Sequence, residues 1–210
     1  MIAIIDYGIG NVASIKNMIQ HVGGEVEITK EKEKIHRASG IILPGIGSFD
    51  ACMVALRASN LLPSIEEQVF DKNLPILGIC VGMQMMAHKS EEGKETGLGW
   101  FDAEVKRFQP GKSIKIPHMG WRDVCARSRS HLFKEEADRR FYFVHSYHMI
   151  CHDAADIEAL AEYNETFVAS IAKKNMYGVQ FHPEKSHRYG MSLFKSWLKI
   201  IELHQANQLA

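Results

Sequence analysis

A chain of 210 residues with 46% apolar and 24% charged residues has the composition of an ordinary globular protein, which excludes a disordered or fibrous one. Lys plus Arg and Asp plus Glu each number 25, so the formal charge is zero and the basic excess that marks a general nucleic-acid binder is missing. Ile2 to Ile5 is an apolar run closed by Asp6, and Gly8, Gly10 and Asn11 make the turn that follows. Val12, Ile15, Met18, Ile19 and Val22 recur at i, i+3, i+4 spacing as one face of a helix, stopped by Gly23 and Gly24. Val26 to Thr29 reads as a second strand and the sign-alternating run Lys30 to Lys34 as a solvated connection. Gly40 to Leu43 reads as a third strand, stopped by Pro44, Gly45 and Gly47. Helical stretches around Ala51 to Ala58 and Ser64 to Phe70 precede a fourth, fully apolar strand, Pro75 to Ile79, which feeds an apolar helix from Val81 to Ala87.

Continuous apolar strands separated by helices predict a parallel sheet covered on both faces. After Gly99 the texture changes to short alternating segments at Ala103 to Arg107, Phe141 to Val144, Ile157 to Tyr163, Phe167 to Ala172 and Met176 to Phe181. These predict antiparallel additions to the same sheet or a small side sheet. A last helix carries Leu193, Phe194, Trp197, Leu198 and Ile201 on one face. With no internal repeat or linker composition, a single α/β domain over residues 1–210 is expected. The longest nearly apolar run, Leu74 to Ala87, is too short to span a bilayer, and Asp6 interrupts any secretory-signal pattern. Cys52, Cys80, Cys125 and Cys151 show no CxxC spacing, so free thiols in a cytoplasmic protein are expected rather than disulfides or structural zinc.

Gly78-Ile79-Cys80-Val81-Gly82 stands where the fourth strand gives way to a helix. The serine version, G-x-S-x-G, lifts a nucleophile on a sharp turn, and its glycines leave room for strand and helix to meet. A thiol there feels the helix dipole and free N–H groups that favour a thiolate, and the Val81 N–H points at the same spot. Cys80 is therefore either a nucleophile or a small buried hydrophobe. A base is offered by Gly178-Val179-Gln180-Phe181-His182-Pro183-Glu184, where Pro183 holds His182 extended and Glu184 projects to the same side to orient the imidazole. Taken alone, the segment also reads as a surface turn; with Cys80 it completes a nucleophile, base and orienter. Gly45, Ile46 and Gly47, after the third strand, suit an oxyanion-binding loop or an ordinary strand-ending turn.

Other motifs fail. Gly8-Ile9-Gly10-Asn11-Val12-Ala13 fits a dinucleotide turn, but the second strand ends Ile28-Thr29-Lys30, without the acidic residue the ribose needs. Gly111-Lys112-Ser113 resembles a phosphate loop with Lys106 where the upstream glycine belongs. His145, His148, Cys151 and His152 invite a metal, but strand spacing sets His145 and His148 on opposite sides of a sheet, so no metal is expected.

Together these segments resemble the class I, triad-type glutamine amidotransferases, and among them the glutaminase subunit of imidazole glycerol phosphate synthase. The resemblance runs through Asp6 to Asn11, Leu43 to Phe49, Leu77 to Gln84, Ser90 to Gly93, Pro117 to Trp121, Phe143 to Tyr147 and Tyr177 to Ser186. It implies a three-layer α/β sandwich with a central mixed, mostly parallel sheet and extra antiparallel strands. It implies Cys80 as nucleophile, His182 as proton shuttle and Glu184 as its orienter, with no cofactor. Gln84 and Glu92 match positions that grip the amino-acid end of L-glutamine, and His145, Ser146 and Tyr147 match a backbone segment lining the pocket. The implied partner is a (β/α)8-barrel cyclase subunit that receives the ammonia in a heterodimer, with Asn11, Trp121, Tyr142 and Lys185 near the docking face. Pro117 to Trp121 reads as a loop, and Arg122 stands where asparagine is expected. That departure keeps a second reading open, a paralogous glutaminase supplying ammonia for amidation of a bacterial surface-glycan sugar. A non-catalytic or dinucleotide-binding α/β domain is the remaining alternative.

Overall fold

In the computed structural model, residues 1–109, 115–133 and 139–208 are described, so Gly111-Lys112-Ser113 lies outside the described residues. Strands β1 (Ile2–Ile5), β2 (Val26–Thr29), β3 (Gly40–Gly45) and β4 (Ile76–Cys80) lie parallel in the order β2-β1-β3-β4. β1, β3 and β4 are buried at every position, as strands covered on both faces must be. Helices α1 (Val12–His21), α2 (Lys32–His36), α3 (Phe49–Ala58) and α4 (Leu62–Glu66) make the crossovers. The chain steps one way from β1 to β2 and back from β2 through β3 to β4, so right-handed crossovers place α1 on one face and α2, α3 and α4 on the other. The C-terminal helix α6 (His187–Gln208) packs beside α1.

The antiparallel half follows. Strands β5 (Ala103–Arg107) and β8 (Tyr147–Cys151) form a separate two-stranded sheet. β6 (His118–Ala126), β7 (Arg140–His145), β9 (Ile157–Tyr163), β10 (Glu165–Lys173) and β11 (Met176–Val179) extend the main sheet to nine strands in the order β4-β11-β10-β9-β6-β7. β11 is parallel to β4 and antiparallel to β10, so the sheet changes sense one strand beyond the strand that ends in Cys80. Both expected destinations of the antiparallel segments, the main sheet and a side sheet, are thus occupied.

Four local expectations are corrected. The run Lys30 to Lys34 is not a plain connection, because α2 forms to bury Ile35. The helix after Cys80, α5, keeps only Val81–Gln84, and Met85, Met86 and Ala87 continue as buried turn. The stretch Ser64 to Phe70 is helical but widens into a π turn over Glu67–Asp71. Pro117 to Trp121 is not a loop. β6 begins at His118, pairs with β7 through Asp123 and switches to β9 from Val124, so its burial follows no single alternation.

Candidate active site

β4 delivers Cys80 to the corner with φ +55° and ψ −113°, a left-handed conformation for a residue with a Cβ. Such strain at a strand-to-helix elbow raises the side chain above the sheet. The neighbours explain how it is held. A Cβ at Gly82 would lie 2.0 Å from the Leu43 carbonyl oxygen, and one at Gly78 would lie 2.8 Å from the Gly82 carbonyl oxygen. The helix can therefore sit on β3 and β4 only with glycine on both sides of the thiol. In that packing Gly45 pairs with Cys80 across the strands. Gly45 is itself buried under Gly82 and forms the seat of the elbow, while Ile46 and Gly47 reach the cavity.

Past the end of β11, the chain runs through Gln180 and Phe181 to His182, whose N–H donates to the Tyr142 carbonyl at 2.9 Å. A single turn, Pro183–Lys185, brings Glu184 back beside the imidazole. His182 Nδ1 and Glu184 Oε1 are 2.9 Å apart, with both side chains almost wholly out of solvent. With Nδ1 so occupied, Nε2 is left for Cys80. Burial pulls the imidazole down, but the charge on Cys80 and hydrogen bonds to Cys80 and Glu184 outweigh it and hold His182 raised to about 10. Ser186 braces the turn, donating from Oγ to the His182 carbonyl at 2.6 Å and accepting from Tyr142 N at 3.0 Å. The glycine-rich turn after β1 also serves this site. Asn11 Nδ2 donates to Glu184 Oε1 at 3.4 Å, and Gly10 packs under Pro44, which also accepts a 2.5 Å bond from the Tyr7 hydroxyl.

A cavity of about 350 Å³ opens over Cys80 and His182, lined by Ile46, Gly47, Val81, Gln84, Glu92 and the segment from Val144 to Tyr147. That volume suits a small metabolite. Glu92 is anchored by the Phe49 N–H at 2.7 Å and presents the pocket's carboxylate. Gln84 Nε2 donates to the Tyr147 carbonyl at 3.0 Å and to Gln180 Oε1 at 2.9 Å, and Gln180 Nε2 points at Cys80 Sγ from 3.8 Å.

The glutamine amidotransferase class-I family pattern matches residues 3–200. The chain belongs to that family. A Pseudomonas aeruginosa protein named imidazole glycerol phosphate synthase subunit HisH 2 is 45% identical over 96% of this chain and 100% of its own length. A Methanococcus maripaludis protein of the same name is 46% identical over 95% of this chain and 99% of its own length. Among solved structures, one described as a glutamine amidotransferase superposes with a TM-score of 0.75 at 15% identity, covering 96% of this chain and 98% of that one. The structure of PurLQS from Thermotoga maritima superposes at 0.72 and 18% identity, covering 94% and 97%. At those identities the likeness speaks for the fold alone. As a class-I glutamine amidotransferase, the chain is a glutamine-hydrolysing enzyme.

The predicted partner-face residues lie together on the triad side of the amidotransferase fold. The Trp121 ring meets Tyr142 edge-on at 6.0 Å and stacks on His187 at 5.6 Å, while Lys185 Nζ lies 5.9 Å from the Tyr142 ring centre. His145 and His148 do not face opposite sides of a sheet. They belong to different strands, and both rings pack on Phe108, at 5.1 and 4.5 Å. Among the described residues no group of three or more His, Cys, Asp or Glu side chains is arranged to hold a metal ion, and no helix is long and apolar enough to cross a membrane. His145 Nε2 instead meets His118 Nδ1 at 3.1 Å, and burial pushes both rings down, to about 3 and about 4, so they are neutral at pH 7. Sequence reasoning missed Gln180 and Ser186, although both stand within the quoted Tyr177 to Ser186 segment.

Proposed function

We propose that this chain is the glutaminase subunit of an imidazole glycerol phosphate synthase, hydrolysing L-glutamine at Cys80 and passing the ammonia to a (β/α)8-barrel cyclase. The observation that carries the chemistry is the strained Cys80 facing His182, which Glu184 fixes at Nδ1, in one cavity. The Cys80 sulfur attacks the side-chain amide carbon, and backbone N–H groups of Gly47 and Val81 receive the oxyanion. Protonated His182 gives its proton to the departing nitrogen, so ammonia leaves and a glutamyl thioester remains. Neutral His182 then takes a proton from water as it attacks the thioester. Collapse releases glutamate and restores the sulfur and the imidazolium. Glu92 pairs with the substrate α-ammonium and Gln84 holds the same end.

The identities of 45% and 46% to proteins named as HisH subunits support the pathway. The cluster of Trp121, Tyr142, Lys185 and His187 beside the cavity supports the docking face, since aromatic and cationic side chains at one exposed site suit an interface. The test is glutamate release by the chain alone, then with a histidine-pathway cyclase, with and without that cyclase's nucleotide ligand. Stimulation by the nucleotide supports the reading; glutamate formation indifferent to the cyclase contradicts it. Trp121→Ala is expected to leave KM for glutamine within about 2-fold while cutting that stimulation about 10-fold.

Arg122 favours a second reading, ammonia supply to a surface-glycan amidation enzyme. Its Nη1 donates to the Trp121 carbonyl at 2.9 Å and its guanidinium lies 5.1 Å over the Tyr163 ring, so the position after Trp121 is built differently from the expected amide. Stimulation by a barrel protein encoded beside glycan genes, with none from the histidine-pathway cyclase, would favour it.

A further inference from the structure

Gln180 is completely buried between the end of β11 and the elbow, and its two polar atoms serve opposite neighbours. Nε2 donates toward Cys80 Sγ at 3.8 Å, and Oε1 accepts from Gln84 Nε2 at 2.9 Å. This orientation is dictated from outside. The Tyr147 carbonyl can only accept, and it takes Gln84 Nε2 at 3.0 Å and His145 Nδ1 at 2.8 Å. Gln84 must therefore turn its nitrogen inward, and a nitrogen there demands an oxygen from Gln180. Flipping Gln180 alone would set two NH2 groups against each other, and flipping Gln84 as well would set its oxygen against the Tyr147 carbonyl. The amide N–H of Gln180 is thereby aimed at the sulfur.

We propose that Gln180 is a positioning residue for the nucleophile: its amide N–H holds the Cys80 sulfur in its charged form and ties it to Gln84 on the cavity wall. The proposal rests on Cys80 being the nucleophile. An amide suits this task because it donates without titrating, so it never competes for the proton that His182 carries. A negative sulfur strengthens a long N–H···S contact, and the buried setting strengthens it further. The other titratable groups around Cys80 are His182 from the turn after β11, Tyr7 after β1 and Cys52 on α3, with Glu92, His145, Tyr147 and Lys185 along the same cavity. Burial pushes Tyr7 and Cys52 upward, so both stay protonated, and their hydrogens are given to the Pro44 and Ile46 carbonyls rather than to the sulfur, so neither replaces the amide.

The test follows alkylation of Cys80 by iodoacetamide against pH, read on the Cys80 peptide by mass spectrometry. Gln180→Leu removes the donor at similar volume, and Gln180→Glu keeps an acceptor for Gln84 while setting a carboxylate against the sulfur. The pH midpoint is expected to rise by about half a unit to one unit in Gln180→Leu and by more in Gln180→Glu. In the complete complex kcat is expected to fall about 10-fold in Gln180→Leu. Midpoints unchanged in both variants would overturn the proposal, since a residue that merely filled space would leave them so. A second measurement needs no change at Gln180. In the wild-type chain the Gln180 side-chain amide proton resonances should move with pH as Cys80 ionises and stay fixed in Cys80→Ala. Equal behaviour in the two proteins would also overturn it. Neither the alkylation midpoint nor the amide resonance uses glutamine, so failure of the glutaminase reading and failure of this proposal are separable.

Discussion

At the parallel half of the sheet, where β3 and β4 end, atoms are placed by backbone lying against backbone. Gly82 sits on the Leu43 carbonyl, Gly45 under Gly82, and Cys80 takes the strained conformation between them. At the antiparallel half, positions are set by rings lying against rings. The His118 ring stacks on Tyr163 at 3.9 Å and on Phe143 at 5.3 Å, and Phe108 meets His145, His148 and Phe167. The first arrangement tolerates no added atom and holds Cys80, the proposed nucleophile. The second is a packed wall behind the cavity, in which buried His118 and His145 are neutral and meet each other at 3.1 Å.

The largest difference between the two halves is expected at the sulfur. Cys80→Ala is expected to lower glutamine hydrolysis by about four orders of magnitude or more, while the thermal midpoint stays within about 3 °C, because a smaller side chain fits the elbow. A large fall in midpoint would show that the thiol is needed for packing rather than chemistry. Next come the triad partners. Glu184→Gln is expected to retain about 50-fold more activity than His182→Ala, since an orienter contributes less than the base it orients. Equal losses in steady-state kinetics would argue against the division of roles.

Gly82→Ala probes the backbone contact itself. A Cβ placed 2.0 Å from the Leu43 carbonyl forces the helix off the strand. The expected cost is about 3 kcal/mol in denaturant unfolding. A change below about 0.5 kcal/mol would mean the elbow is softer than its packing implies.

The smallest effect separates the halves by pH. Burial depresses His118 to about 4, so its contribution to stability is present above the ordinary histidine value of 6.5 and is lost as pH falls through about 4. His182 behaves oppositely. Raised to about 10, it contributes stability fully present below 6.5 and lost as pH rises through about 10. Unfolding free energies across pH should therefore show an acid limb flattened by about 2 kcal/mol in His118→Asn and an alkaline limb flattened in His182→Asn. The same flattening in both variants, on both limbs, would erase the distinction.

The contrast also explains what was legible in the sequence. Gly78, Gly82, Pro44 and Gly45 announce the elbow because close backbone approach leaves glycine and proline at short, fixed spacing around Cys80. His182 and Glu184 are legible because they stand two residues apart, although a single turn and not the expected extended segment brings them together. The antiparallel half carries no such local code. β6 changes partner at Val124, so neither half of it shows a period long enough to read. The ring cluster draws on residues from Phe108 to Phe167 that only the folded topology brings together. Arg122 was visible as a departure, but its placement over Tyr163 depends on the pairing of β6 with β9. Gln180 stood in plain view between two strand residues and the base. Its role follows from the Tyr147 carbonyl, contributed by another strand.

Hydrolysis by the proposed route requires that the Cys80 sulfur become covalently bonded to the substrate. Acid quenching of the complex during steady-state turnover of L-glutamine, followed by mass spectrometry of the peptide bearing Cys80, tests it most directly. A glutamyl adduct on Cys80 that hydroxylamine removes is the predicted result. Glutamate accumulating with no adduct at Cys80, or with the adduct on another residue, would contradict it.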